Sequence, residues 1–138
     1  MKQASLAVIA VFITWIVLDF LVHGVLLASS YQDSAELWRS PDDMKLGLLY
    51  LVTLVAAICF VSVYAWLIQP KSLAVGLAYG LITGLGGGLA AGIGSYAVMP
   101  ITTTLAAGWL AEYLFEAAVA GLLVGSIVSS HPSRGEPA

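Results

Sequence analysis

The sequence contains very little charge. Only 9% of its 138 residues are charged, whereas 60% are hydrophobic, and a soluble domain normally carries about a quarter charged residues. So few charges cannot cover a surface that faces water, which excludes an ordinary soluble domain and makes the lipid bilayer the expected solvent. The net charge of −3 comes without any run of basic residues. We therefore expect no nucleic-acid partner.

Cysteine is nearly absent, and so are the short motifs of known catalytic sites. The one cysteine, Cys59, lies in an apolar run, so an intramolecular disulfide is excluded. No nucleophile elbow, phosphate loop, CxxC pair or HExxH motif occurs. The stretch "GLGGGLAAG" does not fit a nucleotide-binding turn, because it lies inside an apolar segment expected to be a membrane helix and no strand precedes it. We expect no cofactor, and nothing in the sequence favours an enzyme.

Long apolar segments, by contrast, fill most of the chain. They lie at about 4–28, 45–68, 72–98 and 101–128. Each exceeds the roughly 20 residues that a helix needs to cross a membrane. Backbone groups in lipid must be satisfied internally, and no segment shows the alternation of a barrel strand, so each is expected to be helical. The two later connections are short, which makes consecutive helices antiparallel neighbours. The sequence predicts an all-α, integral membrane, four-helix transmembrane bundle with up-down-up-down topology.

This bundle is predicted to be one transmembrane domain, residues 1–129, followed by a disordered C-terminal tail, residues 130–138. The first segment is longer than the roughly 7–15 apolar residues of a secretory signal, so we expect it to be retained. Positive residues near the segment ends indicate orientation. Lys2, Lys71 and Arg134 fall on one side, and Arg39 and Lys45 on the other. This distribution favours cytoplasmic termini in a multi-pass protein of the cell (inner) membrane.

The third segment carries glycine at every fourth position. Gly76, Gly80, Gly84, Gly88 and Gly92 share one helix face, and we call them the glycine ridge. The fourth segment repeats the spacing with Ala117, Gly121 and Gly125. Small residues at this spacing let membrane helices approach closely. We expect the ridge to pack against a helix of the same chain; the alternative is an interface with a second copy or with a larger membrane complex.

Four ionisable side chains lie inside the apolar segments, and we call them the polar cluster. They are Asp19 and His23 in the first segment and Glu112 and Glu116 in the fourth. Each pair is spaced i, i+4 and so lies on one helix face. A helical rise of about 1.5 Å per residue places all four in one slab of the membrane. Because the first and last helices of an up-down bundle are neighbours, we expect the two pairs to meet.

The polar cluster contains three acids and one histidine, with no lysine or arginine beside them. An ionised carboxylate is costly in hydrocarbon, so the cluster must share protons, hold a cation or open onto water. The leading interpretation is structural and non-enzymatic: the cluster stabilises the bundle or docks it to partner subunits. The alternative is proton or cation handling, by transport or relay. A metal- or lipid-dependent enzyme with the same four residues as ligands comes third, because the Glu-x-x-His pairs of carboxylate-bridged metal bundles are missing.

The layout resembles small bacterial four-helix membrane families without an assigned activity. The blocks "VLDFLVHG", "SSYQDSAELW", "WLIQP" and "GLAYGLITGLGGG" are similar to those of one such family and span most of the chain. The resemblance implies the four-helix architecture and carries over one polar residue, Asp19. That family has a polar Asp/Asn signature late in its third helix, where this chain reads "GIGSYAVMP". The resemblance therefore implies no mechanism.

Overall fold

The computed structural model describes residues 2–128. Within this range the chain forms helices, turns and loops, and no strand. Four of its helices are long and apolar enough to cross a membrane. The predicted all-α architecture with four such helices is confirmed. The predicted tail, residues 130–138, lies outside the described residues.

Long helices alternate with short connecting elements, and two of the long helices contain a wider π-helical turn. The elements are α1 (Lys2–Leu21) with a π turn at Val22–Leu26, α2 (Ala28–Gln32), short 3₁₀ turns at Ala35–Leu37 and Pro41–Asp43, α3 (Leu46–Leu67), α4 (Leu73–Gly88) with a π turn at Leu89–Gly94, α5 (Ser95–Val98) and α6 (Thr103–Ile127). The ends of the four apolar helices differ from the predicted segment ends by at most two residues. Hydroxyl caps explain two of the starts, because Ser72 Oγ accepts from the Val75 N–H and Thr102 Oγ1 accepts from the Leu105 N–H, both at 3.2 Å.

The glycine ridge packs on α6, and α4 and α6 form the most closely packed helix pair. Along the ridge, Gly76 packs against the backbone of Gly121, Gly80 against that of Ala117, and Gly92 against that of Ala106. Residue numbers therefore fall along α6 as they rise along α4, which makes the pair antiparallel. The two backbones meet at the small residues that both sequences repeat every four positions, as expected for small-xxx-small contacts.

This contact leaves no room for side chains on the ridge. A Cβ atom on Gly80 would collide with the Ala117 carbonyl oxygen, and one on Gly84 would lie 2.6 Å from the Tyr113 carbonyl oxygen. Because α6 covers the ridge, a second chain cannot occupy the same face while this contact persists. An interface with another copy or a partner subunit stays a prediction.

α1 packs against α3 and α6, and the main core lies where these helices meet. The buried core residues include Ala7 and Val11 of α1, Ala57, Phe60, Val61 and Tyr64 of α3, and Ala117, Ala120 and Val124 of α6. The Trp15 ring stacks edge-on against Phe60, with ring centroids 5.6 Å apart. A smaller cluster of Leu27, Ile101, Leu105 and Ala106 lies at the opposite end of the helices. Between the two clusters, α1 and α6 bring their polar side chains together.

The hairpin between α3 and α4 depends on one buried hydroxyl. Tyr64 is fully buried, donates to the Ser72 carbonyl oxygen at 3.0 Å and accepts from the Ser72 N–H at 3.2 Å. We expect Tyr64→Phe to lower the free energy of unfolding by about 1–3 kcal/mol, because it leaves the Ser72 N–H without its partner, although the Ser72 carbonyl keeps its bond from the Gly76 N–H. Chemical unfolding in detergent measures this loss. Tyr96→Phe removes the hydroxyl of an exposed tyrosine and is the control; an equal effect in both variants contradicts the prediction.

Candidate functional site

Three members of the polar cluster converge between α1 and α6. Asp19 lies near the end of α1, His23 in the following π turn and Glu112 in the middle of α6. Each offers one ligand atom, and these atoms lie within 4.8 Å of one another. We call these three residues the Asp–His–Glu centre. π-Helical turns are frequent at functional sites, and here one carries the histidine.

Glu112 is the most enclosed member of the centre. The residue is only 4% exposed, and its Oε2 lies 3.1 Å from His23 Nε2. Oε2 has this contact with His23, whereas Oε1 has no hydrogen-bond partner within residues 2–128. Buried polar atoms are normally hydrogen-bonded. Glu112 Oε1 is therefore a buried acceptor to which nothing in the described chain donates.

The other ring nitrogen of His23 is held by Tyr31, which comes from α2. Nδ1 lies 2.5 Å from the Tyr31 hydroxyl oxygen, and Trp109 Nε1–H donates to the same oxygen at 2.6 Å. Because an indole can only donate, the Tyr31 hydrogen is left for His23 Nδ1, and Nε2–H then faces Glu112. The opposite arrangement, with Nδ1–H donating to Tyr31, leaves Nε2 as an acceptor. Tyr31 can thus orient either tautomer of the ring.

Tyr31 is the one titratable group of this network that lies beyond the apolar helices. Burial raises the pKa of Tyr31 to about 12, against a smaller opposing effect of the Trp109 hydrogen bond. The phenol therefore keeps its proton at any physiological pH. It serves as a hydrogen-bonding support for His23 and not as a source of charge.

Glu116, the fourth residue of the polar cluster, is not part of the Asp–His–Glu centre. It lies one turn further along α6 and is only half-buried, although its Oε1 is buried and lacks a hydrogen-bond partner among the described residues. Its backbone carbonyl accepts a hydrogen bond from Trp15 Nε1–H at 3.2 Å. Through this bond Trp15 joins α1 to α6.

Sequence reasoning did not place two residues in the site. They are Tyr31 and Trp109, whose side chains lie beside His23. They contact each other across 78 positions of sequence, and Trp38 packs edge-on against both rings. No sequence periodicity connects a tyrosine in the short helix α2 to a tryptophan in the long helix α6. The only available signal was the proximity of Trp109 to Glu112, one turn apart on α6.

The Asp–His–Glu centre adjoins a cleft of about 1090 Å³. α1, the loop before α3 and the first turns of α3 form its walls, which are mostly apolar. Asp19, His23, Tyr31 and Arg39 line the cleft, whereas Glu112 lies behind them. The volume is slightly above the range of about 300–1,000 Å³ that is usual for small-molecule sites. The centre is therefore accessible from this side without passing through the core.

Two carboxylates and one imidazole form a donor set that suits several cations. Oxygen and nitrogen ligands accommodate divalent metal ions, and the same atoms accept hydrogen bonds from an ammonium group. Asp19, His23 and Glu112 are the residues that could hold either kind of ion. When both acids are ionised they carry two negative charges, and His23 carries at most one positive charge. The three residues alone then keep a net negative charge.

No protein-family model, no curated protein and no solved structure matches this chain. The resemblance of its sequence blocks to a membrane family gains no further support from these comparisons. Function has to be inferred from the chemistry of the Asp–His–Glu centre and the cleft, because a helical bundle is compatible with many functions.

Proposed function

We propose that this protein is a multi-pass integral membrane protein that binds a cation other than a proton at the Asp–His–Glu centre. Four helices of sufficient length and apolarity support its insertion into the bilayer. The helix contacts support an up-down-up-down bundle: α4 runs antiparallel to α6, Leu27, directly after the first long helix, meets Gly108 near the start of α6, and Phe60 of α3 meets Tyr79 of α4. We place the protein in the cell (inner) membrane. The positive residues near the helix ends favour an orientation with the termini in the cytoplasm.

The observation that carries the cation proposal is the buried Glu112 carboxyl group, whose Oε2 contacts His23 and whose Oε1 has no partner among the described residues. A carboxyl group that served only to join helices would be expected to find donors for both oxygens, because an unmade bond to a buried group costs about 1–3 kcal/mol or more. A bound cation supplies what the described chain does not, namely positive charge or a hydrogen-bond donor at Oε1. It also offsets the negative charge that Asp19 and Glu112 bring into a low-dielectric environment.

Calorimetric titration of the purified protein in detergent tests this proposal. The ligands are Na⁺, Mn²⁺ and ethylammonium, which cover a monovalent ion, a transition metal and an organic cation. We expect one of them to bind with a stoichiometry near one. Glu112→Gln should weaken that binding by at least about tenfold, because the variant removes one of two carboxylates from the centre and leaves the volume unchanged.

Glu116→Gln is the matched control. It neutralises an acid of the same kind on the same helix, but outside the Asp–His–Glu centre. Binding within about twofold of wild type is expected for this variant. If wild type binds none of the three cations, or if both variants lose binding equally, the centre is not a cation site.

The second candidate is the structural interpretation, which the sequence alone favours. In it, the acids of the polar cluster share protons. It is favoured by the two contacts that join α1 to α6, from His23 to Glu112 and from Trp15 to the Glu116 carbonyl. In that case the polar cluster stabilises the bundle and binds no other ion. Docking to partner subunits has no supporting contact on the described residues and stays a prediction.

A further inference from the structure

The cleft beside the Asp–His–Glu centre opens towards the expected lipid phase. None of residues 46–56 at the start of α3 is buried, so this half of the helix stands apart from α1. The space between them is lined by apolar side chains of which half or more remains exposed, such as Val17, Phe20 and Leu49. In a bilayer, such a lateral opening admits acyl chains directly.

The polar groups of the cleft have opposite signs at separate places. Asp19 lies in the wall, and Glu112 lies behind it, with an Oε1 atom that has no hydrogen-bond partner among the described residues. Arg39 lines the cleft from the loop before α3. A guanidinium group binds phosphate well through paired hydrogen bonds. The cleft therefore offers acceptors in its wall, a phosphate-binding side chain in its loop and apolar walls between the helices.

We propose that the cleft binds a membrane phospholipid whose headgroup carries a primary ammonium group. The ammonium lies at Asp19 and Glu112, the phosphate at Arg39 and the acyl chains against α1 and α3. This inference rests on the proposed function, because the ammonium group is then the cation of the Asp–His–Glu centre.

Hydrogen bonding selects a primary ammonium group over the other lipid headgroups. Asp19 lines the cleft and Glu112 Oε1 behind it has no donor among the described residues, and a primary ammonium group provides three N–H donors. A trimethylammonium group carries the same charge but has no N–H to donate. An anionic headgroup without an amine brings negative charge to two carboxylates and is repelled. A free metal ion satisfies the centre but leaves the apolar walls and Arg39 without a ligand.

Native mass spectrometry after exchange into mixed-lipid nanodiscs tests the proposal. The discs contain equal amounts of phosphatidylethanolamine, phosphatidylcholine and phosphatidylglycerol with identical acyl chains. We expect wild type to retain one molecule of phosphatidylethanolamine with about tenfold preference over each of the others. Asp19→Asn, which is nearly isosteric, should abolish the preference. Arg39→Gln, at an exposed position, should reduce retention of this lipid, and Glu116→Gln should leave it unchanged.

Two outcomes overturn the lipid proposal: equal retention of the three lipids by wild type, or unchanged preference in folded Asp19→Asn and Arg39→Gln variants. Circular dichroism and size-exclusion chromatography establish that each variant is folded. Calorimetry with Na⁺, Mn²⁺ and ethylammonium separates the two proposals. If a small cation binds in a Glu112-dependent way while no lipid is preferred, only the lipid proposal fails; if neither binds, both fail.

Discussion

Gly80→Ala is expected to destabilise the protein strongly, whereas Gly86→Ala on the same helix is expected to leave its stability unchanged or slightly raised. A Cβ atom at position 80 would collide with the Ala117 carbonyl oxygen and lie 3.1 Å from the Gly121 Cα atom, whereas nothing lies within 4 Å of one at position 86. The obstacles at Gly80 are backbone atoms, so a change of rotamer cannot relieve the clash and the two helices must separate.

Inserting one methyl group into a closed contact typically costs about 1–3 kcal/mol, and more where backbone must shift. The same substitution at Gly86 gains up to about 1 kcal/mol of helix propensity. The two variants have the same chemistry and the same helix, so their difference isolates the contact between α4 and α6. Thermal unfolding in detergent, followed by loss of the monodisperse chromatographic peak, measures it. Equal melting temperatures would show that the glycine ridge does not face α6 in the folded protein.

The ridge illustrates how much of the fold the sequence could predict. Four apolar segments and a repeat of small residues are local patterns, and local patterns determine helix positions and the face that approaches a neighbour. The glycine spacing of the third segment does not by itself identify the helix that packs on it. The matching spacing of Ala117, Gly121 and Gly125 is the feature of the sequence that favours the fourth segment. The π turns were not predictable, because a change from i→i+4 to i→i+5 bonding leaves no mark on composition.

The site was predictable only where helical spacing decided it. The i, i+4 pairs placed Asp19 with His23 and Glu112 with Glu116 on their faces, and three of these four side chains do converge. The angle at which α1 and α6 cross determines which three of the four side chains meet. The sequence contains no information on that crossing angle. Tyr31 and the cleft were beyond reach for a different reason. Both depend on the path of the loop between α1 and α3, which has no periodicity.

Replacing Glu112 with methionine is expected to raise the stability of the protein while abolishing cation binding. Glu112 is buried, its Oε1 has no partner among the described residues and its Oε2 contacts only the part-exposed His23, so few contacts offset the cost of its desolvation. Replacing a whole buried ion pair by apolar groups of similar volume is often neutral or stabilising by about 1–4 kcal/mol, and here the buried part of the pair is Glu112 alone. His23 tolerates the change, because its side chain is 40% exposed and its Nδ1 keeps the bond to Tyr31. A residue retained at the expense of stability is typical of a binding site.

Thermal unfolding of Glu112→Met in detergent, next to cation titration of the same sample, measures both effects. Glu116→Met is the matched control: it removes a half-buried acid outside the centre, and it should leave cation binding intact. The structural interpretation predicts the opposite result, because breaking a buried pair that stabilises the bundle costs about 3–5 kcal/mol. A melting temperature well below that of wild type for Glu112→Met would therefore favour shared protons between the helices. A higher melting temperature together with lost binding is the combination that only a cation site explains.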